Sequence, residues 1–376
     1  MKSFVIGRIE GIQVELHSTF VFFILFLFGL LAVFDPVNLL GSITLIVFLF
    51  TSVFFHELSH SIVSISKRIK VKKIILLPIG GMALTDNFPD KPIDEFLISI
   101  AGPLFNFAVV IVLVILVSLF DFIPFPWDFI ENRLNLDFSL MHYPVFALMY
   151  VNLILGTFNL LLPALPLDGG RVWRSLLAMK FGKTNATKFV SMISKIIALI
   201  LFVFAVFFGG GIILAIIAVF IYFASKYEND LQQMKSILTG ITLKSIIKEE
   251  IPLLQKNLNL KELFDLMQEE NVFAFVIKEK QLKYIDLELI KKVNQKNWGK
   301  TKASEISVVL PLIPVSAKAE KAMELFMATN FELIGVHSNG KLAGVIEKKE
   351  MQELFELAKA KKKKNKDSRT ETVPAV

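Results

Sequence analysis

The sequence predicts a polytopic α-helical membrane protein, with about six transmembrane helices followed by a C-terminal cytoplasmic α/β domain. Three observations carry this. Of 376 residues, 54% are hydrophobic and 20% charged, with 36 Phe, whereas soluble domains run about 45–50% apolar and 25% charged. The apolar residues gather into long runs over positions 1–225. After Lys226 the composition becomes that of a soluble α/β domain, and a repeat of about sixty residues emerges. So much apolar material excludes general disorder. With no Cys there are no disulfides and no thiolate metal sites, so His, Asp and Glu remain as metal ligands. The net charge of +7 (41 minus 34) does not point to nucleic acid, because the basic residues flank apolar runs and fill one terminal tail.

A helix needs roughly 20 apolar residues to span a bilayer core of about 30 Å. The candidates are 20–34, 42–66, 96–120, 143–166, 189–208 and 212–225. The first and last are short, and Gly209-Gly210-Gly211 reads as either a turn or a kink. Lys2 and Arg8 precede the first run. Lys67, Arg68, Lys70, Lys72 and Lys73 follow the second, and Arg171, Arg174, Lys180, Lys183 and Lys188 follow the fourth. The opposite loops hold Asp35, and Asp121, Asp128, Glu131 and Asp137 against Arg133. This asymmetry predicts a multi-pass protein of the cell membrane with both termini cytoplasmic. Residues 71–85 (VKKIILLPIGGMALT) are β-rich around a Pro-Ile-Gly-Gly turn, too short to span and too apolar for water, and read as a hairpin against the cytoplasmic leaflet. Beyond a transmembrane domain at 1–226 and a linker at 227–240, Leu263, Leu266 and Met267 form a helical stripe that returns as Met323, Phe326 and Met327. Strand-like runs follow each, at 272–277 and 333–336. The repeats fill 241–358, and 359–376 form a basic tail that is disordered by composition, read first as a solubilising end and in the alternative as a segment attracted to anionic lipid.

Inside the second run stands His56-Glu57-Leu58-Ser59-His60. On a helix, residues four apart share a face, so both imidazoles reach one zinc ion, and Glu57 is placed to take a proton from an attacking water. Ionisable groups in an apolar span are costly and are functional by default. A catalytic zinc takes three protein ligands and keeps one open position. Elimination points to Asp168 as the third: His17 and His142 stand at span edges, and His337 lies in the soluble part. Pro163, Pro166, Gly169 and Gly170 break the helix around it, freeing backbone to line a cavity.

HELSH, AGPLFNF (residues 101–107) and NLLLPALPLDGG (residues 159–170, with Asn159 first and Asp168 near its end) together resemble the site-2 protease family of intramembrane zinc metalloproteases. The opening IGRIEGIQVELHSTF and the LLPIGG hairpin are also similar to archaeal and bacterial members. The resemblance implies one zinc ion on His56, His60 and Asp168, with Glu57 as catalytic base. It also implies a substrate-holding role for Asn159 beside Pro163. Asn106 is read as a packing or interhelical residue. The C-terminal part resembles a pair of cystathionine-β-synthase-type (CBS) modules through its repeat and Gly340-Lys-Leu-Ala-Gly344-Val-Ile. Nucleotide-binding modules of that kind continue with Ser or Thr and then Asp. Here Glu347 and Glu350 stand at those places, and the first repeat offers only Asp286, which argues against adenine-nucleotide binding.

The expected activity is intramembrane zinc proteolysis of a membrane-embedded or membrane-associated protein, such as a transcription-factor or anti-sigma-factor precursor. The hairpin, with Gly80 and Gly81 at its turn, is expected to pair with the unwound substrate. The rival reading is a CBS-regulated membrane transporter or channel, which would not require HExxH spacing and a Pro-flanked Asp together.

Overall fold

A computed structural model describes residues 3–370 apart from 35, 37–38, 79, 86–88, 90, 121–142, 249–251, 255–256, 279–280 and 330. Lys2, Asp35, His142 and the acidic loop of Asp121, Asp128, Glu131, Arg133 and Asp137 therefore lie outside the described residues. The chain divides into two compact units between Asp230 and Leu231.

The first unit holds α1 (Ser18–Phe34), α2 (Leu39–Ser66), α3 (Pro92–Leu119), α4 (Pro144–Leu161), α5 (Asp168–Phe181), α6 (Lys183–Phe207) and, as far as Asp230, α7 (Gly211–Leu238). Among these, α2, α3, α4, α6 and α7 are long and apolar enough to cross a bilayer, and α1 is a shorter apolar helix of 17 residues. All six expected runs are thus helices. The glycine triplet is a turn: α6 ends at Phe207 and α7 opens at Gly211, with Gly209 and Gly211 at φ of 78° and 80°.

The expected hairpin at 71–85 is present as β3 (Val71–Leu77) and β4 (Gly80–Thr85), but it is half of a larger sheet. β1 (Ser3–Ile9) and β2 (Ile12–His17) complete it in the order β1-β2-β3-β4, with β2 and β3 parallel. Ile12, Val71 and Ile74 bury against Leu58 of α2, and Leu76 against Phe20 and Val53. The sheet is thereby seated on the helix that carries the HExxH residues. Glu15, buried in β2, accepts hydrogen bonds from Ser3 Oγ and Lys73 Nζ, which together hold its carboxyl below the usual carboxylate range. A second buried charge group ties three helices. Arg174 of α5 donates to Glu95 of α3 through Nε at 2.7 Å and pairs with Glu228 of α7. Such ions survive burial only when paired.

Two expectations about boundaries need correction. Residues 227–240 are not a loose linker, because α7 continues unbroken to Leu238, and Met234 and Leu238 are core residues of the second unit. Nor are residues 359–370 of the basic tail loose, because α12 (Lys348–Thr370) continues over them; 371–376 lie outside the described residues. Met351 is buried at its start, Lys362 Nζ donates to Ser236 O at 2.8 Å, and Lys and Ala are strong helix formers.

The second unit repeats one α/β pattern. In the first half α8 (Leu260–Glu269) buries Leu263 and Met267 against a sheet of β5 (Ala274–Lys278), β6 (Leu282–Asp286) and β7 (Val308–Val309), with α9 (Leu287–Lys291) and α10 (Ala303–Ile306) beside it. In the second half α11 (Ala319–Ala328) buries Met323 and Phe326 against β8 (Leu312–Pro314), β9 (Leu333–Ser338) and β10 (Lys341–Glu347). Val276, Tyr284, Leu333 and Val345 join the halves. Asp286 caps α9, accepting from Leu289 N at 2.7 Å. Glu347 and Glu350 both pair with Lys248 Nζ, at 3.1 and 2.7 Å. The carboxylates at the expected ribose positions are thus already engaged. Titrating the full chain with ATP, ADP and AMP should give no dissociation constant in the low micromolar range, about −8 kcal/mol. Calorimetry is the check, and one low-micromolar isotherm would reverse the reading of Glu347.

Candidate metal centre

Two helices build this site by presenting matching rows. Along α2, Ser52, His56, His60 and Ser64 are buried one turn apart, on a single face. Along α3, Ile98, Gly102 and Asn106 form the opposing row. His60 Nδ1 lies 2.6 Å from Ile98 O, and His56 Nδ1 lies 2.6 Å from Asn106 Oδ1. Between these contacts sits Gly102. A Cβ there would fall 2.4 Å from His60 Nε2 and 2.6 Å from His56 Nε2. The missing side chain is what leaves room for the imidazoles.

The third residue arrives from the broken segment. α4 ends at Leu161, half-buried Pro163 and the Ala164–Leu167 turn follow, and Asp168 opens α5, where a carboxylate suits the positive end of the helix dipole. Its Oδ2 stands 3.0 Å from His56 Nε2 and 3.3 Å from His60 Nε2, and the two Nε2 atoms are 3.1 Å apart. His56, His60 and Asp168 are buried, at 4%, 7% and 7% exposure.

This arrangement is a test of whether a cation fits. Ile98 O can only accept, so His60 carries its proton on Nδ1 and a lone pair on Nε2. Asn106 Oδ1 makes the same demand of His56. Two lone pairs and a carboxylate oxygen then face one another with no proton between them, which is costly in a buried site without a cation. Zinc with bonds of 2.0–2.1 Å has ligand–ligand edges of about 3.3 Å, close to the triangle found. Among the described residues no other His, Asp and Glu group could share one ion.

The remaining predicted residues fall as follows. Glu57 is half-buried under β4: a Cβ on Gly81 would lie 2.3 Å from Glu57 Cγ. Gly80 begins β4 at φ 138° with open space around it. Asn159 donates to Leu155 O at 3.1 Å, one turn back in its own helix. Asn106 bonds between helices as expected, to His56 Nδ1 of α2 at 2.6 Å and to Asn152 Oδ1 of α4 at 2.8 Å. Sequence reasoning passed over Gly102 and Asn152. Asn152 carried a usable signal, being an amide in the middle of an apolar run. Gly102 stands four residues from both Ile98 and Asn106, but nothing in the sequence shows what faces it.

A family model for peptidase family M50 matches residues 44–204, which include His56, Glu57, His60 and Asp168. The zinc metalloprotease MJ0392 of Methanocaldococcus jannaschii is 32% identical over 342 residues, covering 91% of this chain and 92% of that protein. The chain belongs to the M50, or site-2 protease, family. Among solved structures it is similar to the site-2 protease of Methanocaldococcus jannaschii, at 37% identity over 61% of this chain and 95% of that one, with a TM-score of 0.45. A CBS-domain crystal structure is similar to 30% of this chain at 13% identity, with a TM-score of 0.28. As an M50 peptidase this protein is a membrane metalloprotease, and zinc is the metal its family implies. In such a peptidase Gly102→Ala should abolish metal binding while leaving the helices intact. Metal analysis beside circular dichroism of the purified variant checks this, and full zinc content would contradict the packing argument.

Proposed function

We propose that this M50 peptidase cleaves another membrane protein within or near a transmembrane segment. In this reading His56, His60 and Asp168 hold one zinc ion and Glu57 is the base. The observation that carries it is the convergence of three acceptor atoms, 3.0–3.3 Å apart, between helices apolar enough to span a bilayer. A bound zinc would supply a Lewis acid for the scissile carbonyl and lower the pKa of water. Glu57 takes the proton of the attacking water and delivers it to the leaving amide nitrogen.

A peptide bond in a helix is covered and its carbonyl is hydrogen-bonded, so the substrate must first unwind. β4 ends the sheet order, leaving its outer edge unpaired among the described strands. An extended peptide added to that edge would gain backbone hydrogen bonds, with Gly80 and Gly81 keeping the approach to Glu57 clear. Asn159 and Pro163 follow on the route to Asp168 and are proposed to hold the substrate there. The substrate class is a membrane-tethered transcription factor or anti-sigma factor, released on the cytoplasmic side.

Glu57→Gln should keep its zinc, since Glu57 is not a ligand, yet lose cleavage by about 10²–10⁴-fold or more. Comparing membrane proteomes of cells carrying wild type and E57Q gives the substrate and the readout together. Cleavage near the wild-type rate would sink the assignment. The topology is a separate matter. Cys placed at Lys72 should resist an impermeant thiol reagent outside intact cells, and Cys at Asp128 should react. External labelling at Lys72 would overturn cytoplasmic termini.

A further inference from the structure

Each histidine needs its Nδ1 proton fixed, and the two achieve this differently. His60 does so directly, against the backbone carbonyl of Ile98. His56 faces a side-chain amide, Asn106, and an amide has two ends. If Asn106 were turned over, its NH₂ would meet His56 Nδ1, the imidazole would hold its proton on Nε2, and the lone pair would be lost from the site.

The direction of Asn106 is settled further away. Asn152 of α4 donates through Nδ2 to Leu148 O at 2.9 Å and to Ser52 Oγ at 3.0 Å. Leu148 O is a backbone carbonyl and can only accept, so Asn152 must point its nitrogen there and its oxygen the other way. That oxygen receives Asn106 Nδ2 at 2.8 Å. Asn106 therefore shows its own oxygen to His56, at 2.6 Å. Asn106 and Asn152 are 0% and 1% exposed, so water offers neither an alternative partner. Gly156, one turn after Asn152, lets α4 come this close: a Cβ there would be 3.1 Å from Asn106 Cβ.

We infer that Asn152 is a positioning residue, which sets the tautomer of His56 through Asn106 and so readies one metal ligand from a helix that supplies none. This rests on His56 being a ligand and deepens that reading. Ser52 is only a second acceptor for Asn152; the carbonyl of Leu148 sets the direction without it.

The test uses full-length protein in detergent, with zinc affinity read by chelator competition and the His56 tautomer read by ¹⁵N shifts of labelled histidine in metal-free protein. Asn106→Leu should weaken zinc by about 10–100-fold, the usual cost of losing a ligand's hydrogen-bond partner. Asn152→Leu, nearly the same size, should weaken it at least several-fold and show a mixed tautomer, because Asn106 is then free to turn. Asn152→Asp in its neutral form accepts from Asn106 while its O–H donates to Leu148 O, and should restore both readouts most of the way. Ser52→Ala should stay within about twofold of wild type. An unchanged tautomer and zinc affinity in N152L would overturn the inference, as would an equal loss in S52A and N152L, which would mark a packing role. His56→Ala is the reference: wild-type affinity in that variant would defeat the metal reading itself, whereas weak H56A beside normal N152L defeats only the positioning chain.

Discussion

The structure turns on three acceptor atoms brought together in a buried site. Lone pair against lone pair at about 3 Å is repulsive, and the apolar surroundings do nothing to screen it. Packing around them holds His56, His60 and Asp168 within reach of one another. The α2–α3 contact does this from both sides, with His60 bonded to one helical turn of α3 and His56 to another. The Arg174 pairs to Glu95 and Glu228 fasten α5, and with it Asp168, to α3 and α7. These contacts fix the positions of the three side chains that could share an ion.

Much of this was legible because membrane spans make polar residues conspicuous. The HELSH pattern and the Pro-flanked Asp168 each break an apolar run, and their chemistry follows from residue type and spacing. The six apolar runs also became helices as expected. What could not be read were relations across helices. Asn106 showed its polarity in the sequence but not its partner, and Gly102 shows only an absence, whose meaning depends on the imidazoles opposite. The β1–β2 hairpin was likewise missed as structure, since FVIGRIEGIQVELH can be an extended edge only once β3 is there to accept it through a parallel pairing that needs two intervening helices.

The second unit makes a related point about composition. A Lys-rich segment was read as disordered because like charges repel and few apolar residues remain. Yet a segment that continues an anchored helix does not pay the nucleation cost again, and lysines are good helix formers. Composition alone overlooked the turn that came before. The same holds for 227–240, where α7 was already running. In both places the deciding fact was the state of the preceding residues, and Met351 and Met234, buried in one core, supply the anchors.

The close meeting at Gly102 has a consequence for motion. Helices that touch through a glycine and are cross-bonded on either side of it cannot slide past one another: a shift of even part of a turn would drive backbone into imidazole and break both Nδ1 contacts. α2 and α3 therefore behave as a fixed frame, and any gate for a bulky polypeptide has to be cut elsewhere. α1 is the contrasting element, since Phe20 is its one buried residue among 17. Around the frame that α2 and α3 make, the two imidazoles keep their places.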